Sequence, residues 1–118
     1  MKNLKFRVWD KEKKVMFEID DEQFLAGHDY FSNERFIPLQ FIGLSDKNGK
    51  EVYEGDVFYA KMISTSPKGT YVEVIYDAPS FDVVDKKGDN CWNAYLVIIG
   101  GEVIGNIYEN ENLINRTL

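Results

Sequence analysis

Four carboxylates crowd into five positions at Glu18, Asp20, Asp21 and Glu22, a density that could hold Mg2+ or Ca2+ through hard oxygen ligands. Their spacing matches no known calcium loop, and acidic residues at a helix start are favoured by capping and the helix dipole anyway. The cluster reads as a helix start. Asp46-Lys47-Asn48-Gly49 has a passing likeness to a calcium loop, but Leu44 stands where the first ligand belongs, so it reads as a hairpin turn. His28 and Cys91 are the sole histidine and cysteine, and together they would be a base and a nucleophile. Nothing in the spacing brings them together, and Cys91 beside Trp92 suits a small half-buried apolar residue. Glu51, Glu54 and Asp56 offer paired carboxylates for acid and base work. Their better reading is architectural: Gly55 supplies an unusual backbone angle, and Asp56 can bond backbone amides to fix the bend. No Walker loop, dinucleotide fingerprint, zinc spacing or nucleophile elbow occurs, and Gly100-Gly101 reads as a turn. The sequence assigns no catalytic, metal-binding or cofactor-binding residue.

What it does specify is a set of strands and turns. Leu4 to Trp9 alternates, with Leu4, Phe6 and Val8 on one face, then turns at Asp10 to Lys13 and returns from Val15 to Ile19. This predicts an N-terminal β-hairpin. Asp20 then caps a short helix through Ala26, with Gln23 as capping-box partner and Gly27 as its stop. From Pro38 a strand leads to an Asn48-Gly49 turn, for which type I′ is expected because both residues tolerate positive φ. The returning strand ends in the Gly55-Asp56 bend, and Val57 to Met62 continues beyond it. Thr70 to Tyr76 alternates strongly, and Phe81 to Val84 resumes after a break. Trp92 to Ile99 and Glu102 to Tyr108 are expected to close the chain as a tight hairpin around Gly100-Gly101, with Gly105 at a bulge or close approach. Turn signals this frequent suit a small barrel or sandwich.

Three blocks carry a resemblance: Phe6-Arg7-Val8-Trp9-Asp10, the long run from Gln40 to Val57, and Val103-Ile104-Gly105-Asn106-Ile107-Tyr108-Glu109-Asn110. In this order and spacing the chain resembles the YopX family, small proteins encoded by phages and prophages, over essentially its whole length. Phe41-Ile42 departs from the aromatic-Thr pair expected there. The resemblance implies a mainly β fold, a small SH3-like β-barrel with an N-terminal β-hairpin and short helix, often oligomeric. It carries over no catalytic residue and implies no cofactor.

With 118 residues, 44% of them apolar, the chain is long enough to bury a core without metals or disulfides. We expect residues 1–36 to form an N-terminal extension and residues 37–118 the barrel core. The net charge of −6 is uneven: residues 1–14 carry +4 and the rest −10. An acidic chain repels phosphate backbones, so nucleic acid is disfavoured as a partner. The alternative that survives is a nucleic-acid-associated small barrel using Trp9 with Lys5, Arg7 and Lys11 as a stacking patch. No apolar run approaches the ~20 residues of a membrane span, and no signal peptide opens the chain, so we expect the host cytoplasm and no membrane. The expected function is that of a non-catalytic accessory protein, an interaction or assembly module. Its partners would be a second copy and a host or phage protein, met through Phe6, Arg7, Trp9, Phe17, Phe24 and Leu25.

Overall fold

The computed structural model describes residues 5–19, 30–61, 69–77, 79–89 and 92–113, and over these the chain is mainly β. The predicted hairpin forms from β1 (Phe6–Asp10) and β2 (Val15–Ile19), in register from Phe6–Ile19 to Asp10–Val15. Its turn is tied by the Lys14 amide donating to the Asp10 carbonyl (2.8 Å) and by the Glu12 and Lys13 amides donating to Asp10 Oδ1. Arg35 clamps the same carboxylate from outside, Nε on Oδ1 at 2.9 Å and Nη2 on Oδ2 at 2.8 Å. The short helix expected from Asp20 to Ala26 lies outside the described residues, as do His28, Cys91, Phe24 and Leu25.

The ten-residue strand β3 (Phe36–Ser45) changes partner along its length. Its first half pairs with β1 and its second half with β4 (Glu51–Tyr53), giving a sheet of order β2-β1-β3-β4. The register shifts between Phe41 and Ser45, and Gly43 within that stretch sits at φ +88°. A bulge with a left-handed glycine bends a strand, which lets one strand serve two differently oriented neighbours. The second sheet has the order β7-β6-β5-β8, from β5 (Asp56–Lys61), β6 (Gly69–Asp77), β7 (Ser80–Val84) and the two-residue β8 (Gly105–Asn106). Val52, Phe58, Ala60, Val72, Val74, Val83 and Ile98 are the buried heart of the core, with Ile42, Leu44, Trp92 and Val103 packed against them.

Two expectations are corrected. The turn at Asn48-Gly49 is not type I′: Gly49 alone has positive φ (+85°), its amide donates to the Asp46 carbonyl (3.0 Å), and Asp46 pairs with Lys50 across a three-residue loop. Asp46 Oδ1 accepts the Asn48 and Lys50 amides, so the aspartate sets the turn geometry and Asn48 never needs the left-handed region. The same arrangement recurs at Asp85, with Gly88 at φ +87° and the Lys87 and Asp89 amides on Asp85 Oδ1.

The larger correction is at the C-terminal end. Residues expected to form a strand are the helix α1 (Ala94–Gly100), and no hairpin follows it. A five-residue apolar run fits a strand or a buried helix equally by periodicity. The deciding signal is Asn93, whose side chain accepts the Leu96 amide at 3.0 Å and caps the helix. Gly100 ends the helix and Gly101 is its C-cap in extended conformation, where a Cβ would sit 2.7 Å from the Val97 carbonyl oxygen.

Asp46 also joins the hairpin tip to the segment after the helix, through the Val103 amide on Oδ2 (2.9 Å), while the Lys47 amide donates to Gly101 O. Burial opposes ionisation of Asp46, but the Val103, Lys50 and Asn48 amides outweigh it and hold its carboxyl below the usual value. Arg35 holds that of Asp10 well below it. Both folded values lie under the unfolded value of about 3.9, so both stabilise the fold above that pH and cease to as pH falls through the folded values. Thermal melts from pH 7 down to pH 3 are expected to show the Tm falling on acidification. Asp46→Asn and Asp10→Asn should each flatten that fall; an unchanged slope in both would refute the assignment.

Candidate functional site

The three blocks at residues 6–10, 40–57 and 103–110 meet along one seam. β1 is flanked by β2 and β3 and buries Arg7, Val8, Trp9 and Asp10, so both of its faces are covered. On the face shared by alternate residues Arg7 and Trp9, Arg7 Nη2 donates to Asp56 Oδ1 at 2.6 Å and to the Glu54 carbonyl at 3.2 Å. Its guanidinium lies 4.9 Å from the Tyr53 ring centroid. Asp56 is fully buried, and its second oxygen accepts the Tyr53 amide at 2.9 Å. Burial pushes its carboxyl up against the opposing pull of Arg7 and that amide. Glu54 Oε1 accepts the Gln40 amide (2.8 Å), which locks the Glu54-Gly55 bend onto β3.

The third block closes the seam. Trp9 stacks on Tyr108 with centroids 5.8 Å apart and planes 29° from parallel. Tyr108 is placed by Asn106, a buried side chain whose Oδ1 accepts the Tyr108 and Glu109 amides and whose Nδ2 donates to Glu109 Oε1. Asn110 Oδ1 accepts the Asn106 amide, and a Cβ on Gly105 would meet that same oxygen at 2.6 Å. Burial, with Glu73 and Glu54 nearby, pushes the Tyr108 phenol up, and burial with Glu18 and Glu51 pushes Tyr53 up to about 12. Both rings therefore stay neutral across the physiological range.

Two adjoining open grooves run along the seam. One of about 440 Å3 is lined by Trp9, Lys14, Ile107, Tyr108, Glu109 and Glu111. The other, about 320 Å3, lies over Arg7, Met16, Glu18, Lys50, Glu51 and Tyr53, with Glu109 shared between them. The buried polar groups beneath are mostly engaged within the chain: Arg7 Nη2 on Asp56 and the Glu54 carbonyl, Asp56 also on the Tyr53 amide, and Asn106 on its own turn, while Arg7 Nε is buried without a hydrogen-bond partner. The seam is a bracing arrangement, in which polar side chains fix backbone.

Most candidate contact residues turn out to be engaged within the chain. Arg7 and Trp9 are 7% exposed each, on a central strand covered on both faces. Phe6 meets Phe31 edge-on at 5.0 Å, and Phe17 packs against Tyr30 and Phe36. Lys5 is paired with Glu51.

A surface that the sequence reading passed over is the outer stripe of α1. Ala94, Val97 and Ile98 face the core, whereas Tyr95 is 55% exposed, Leu96 60% and Ile99 37%. At ~100° per residue, Tyr95, Ile99, Leu96 and Gly100 form one continuous stripe. The helix carries no charged side chain. Had Asn93 been read as a cap, the absence of any polar residue on the outward positions would have marked this face.

Among the described residues no helix is long and apolar enough to cross a membrane. No curated protein matches the chain. A crystal structure of protein EF1440 from Enterococcus faecalis shares the fold, with a TM-score of 0.63 and 24% identity over 93% of this chain and 96% of that one. The family model described as YopX protein matches residues 22–115, most of the chain and two of the three blocks that build the seam. This chain is a member of the YopX family.

Proposed function

We propose that this chain is a non-catalytic accessory protein of a phage or prophage, an interaction or assembly module working in the host cytoplasm. The observation that carries the reading is the outward stripe of α1. A surface helix of a soluble domain normally turns polar residues to water, and one that is apolar all round is normally covered. Here Tyr95, Leu96 and Ile99 are exposed on a helix without a charge. The ionisable groups of the seam meanwhile hold backbone amides and each other, which favours binding over chemistry. The nucleic-acid alternative loses its platform, because Trp9 is stacked on Tyr108 and Arg7 is committed to Asp56.

The test is quantitative capture from host cells expressing the tagged protein or its Leu96→Asp variant at equal levels, with circular dichroism confirming that the variant folds. Wild type is expected to retain a defined set of proteins, its own untagged copy included, that the variant loses. Identical capture by both would sink the reading.

A further inference from the structure

The outer face of the second sheet holds a carboxylate that lacks a partner. We infer that this face docks a segment of another protein that sets one arginine among apolar side chains, its guanidinium reaching Glu73 and lying against Tyr71. This goes beyond the α1 stripe, because α1 covers the opposite face: Ile98 packs with Phe58, Val72, Val74 and Val83, the inward residues of the sheet. The period of two turns Val57, Tyr71, Glu73, Ile75 and Val84 the other way. The register sets Glu73 between Val57 and Val84 on the neighbouring strands, with Tyr71 and Ile75 on either side of it along β6. Tyr59, half exposed, meets Tyr71 with ring centroids 5.1 Å apart. An antiparallel sheet commonly turns a polar face to water, but here the second face is apolar around Glu73.

Glu73 itself is the first observation. It is half-buried, yet among the described residues no hydrogen bond or ion pair reaches its carboxylate, and burial alone pushes its carboxyl up. Asp82, on the same face, differs in that its Oδ1 accepts the Val83 amide of its own strand. The second observation is an arrangement that recurs in the described residues. Three times a cation joins a carboxylate and lies over a ring: Lys5 with Glu51 and Phe41, Arg7 with Asp56 and Tyr53, Arg35 with Asp10 and Phe36. Glu73 beside Tyr71 is the same arrangement short of its cation. A charge drawn partly out of water is costly until it is paired. An arginine pairs it best, because its planar fork can bind both carboxylate oxygens and stack on a ring at once. The net charge of −6 favours the approach of a basic segment.

The probe is a short acetylated and amidated peptide with one arginine between two valines, titrated into the isotope-labelled full chain and followed by NMR. Saturable binding at about 1 mM or tighter is expected, with shifts centred on Tyr71, Glu73 and Val84. Glu73→Gln should weaken it about tenfold, and replacing the peptide's arginine by norleucine should do the same. Tyr71→Leu should weaken it about threefold or more. Glu73→Gln should also raise the thermal midpoint of the free protein at pH 7, because it removes an uncompensated charge. A carboxylate kept for the fold alone would lower that midpoint and leave the peptide bound. The inference is overturned by no saturable binding, by equal binding to Glu73→Gln, or by equal binding of the norleucine peptide. Shifts on Tyr95, Leu96 and Ile99 instead would overturn it too, while supporting the α1 stripe as a contact surface. The capture experiment with Leu96→Asp tests the stripe separately, so either reading can fail without the other.

Discussion

Asp56→Ala is expected to cost about 3–5 kcal/mol, a large fraction of the about 5–15 kcal/mol that usually holds a domain folded. The carboxylate is fully buried, and its loss strands the Arg7 guanidinium and the Tyr53 amide, which cannot reach water without opening the seam. The penalty therefore reflects an uncompensated buried charge more than the worth of the pair. It follows that the double substitution Arg7→Met with Asp56→Leu should be milder than Asp56→Ala alone, because it removes both charges and refills the space. Arg7→Lys should recover little, since an ammonium cannot both reach Asp56 and lie flat on Tyr53. Urea unfolding of the four proteins measures this. A double variant as unstable as Asp56→Ala would show that shape, and not charge, is what the pair supplies.

Gly55→Val should be the more damaging of two glycine replacements that look alike in the sequence. Gly49 and Gly55 sit at φ +85° and +88°, so a β-branched residue pays the same backbone strain at both, on the order of 1–3 kcal/mol. Their surroundings differ. A Cβ at Gly49 meets nothing within 4 Å, whereas at Gly55 it would lie 3.3 Å from the Tyr108 ring and 3.7 Å from Ile107. The branched methyls of valine would then push Tyr108 off Trp9. Thermal melts should rank wild type above Gly49→Val and Gly49→Val above Gly55→Val, with Trp9 fluorescence altered in Gly55→Val only. Equal midpoints for the two variants would mean that the ring gives way at no cost.

The strands were legible because their residues alternate or lie between strong breakers, as at Phe6 to Ile19 and from Pro38 to Val57. α1 was not, because Tyr95 to Ile99 is short, apolar and partly β-branched, and only the side chain of Asn93 distinguishes helix from strand there. The turn type at Asn48-Gly49 was misjudged for a related reason: Asp46, three residues before the glycine, takes the amides that decide the geometry. The seam was legible in parts, as separate blocks. Nothing local says that Arg7 pairs with Asp56 or that Trp9 stacks on Tyr108, since a strand pattern gives the face a residue points to and not what covers it. Period-2 reasoning puts Arg7 and Trp9 on the face opposite Phe6 and Val8; Asp56, Tyr53 and Tyr108 pack on that face and bury it.

The seam also fixes an order of events during synthesis. The β1–β2 hairpin can form within microseconds of leaving the ribosome. Asp56, however, lies 49 positions beyond Arg7, and Tyr108 comes near the end of the chain. At ~5–20 residues per second, the hairpin waits seconds for its counter-ion and longer for its stacking ring. During that time a guanidinium and an indole on one face of a newborn hairpin are open to the ribosome surface, chaperones and other nascent chains. Its turn carries three exposed lysines, Lys11, Lys13 and Lys14. A chain halted before residue 105 leaves Trp9 without its stacking partner, however well the second sheet has begun to form.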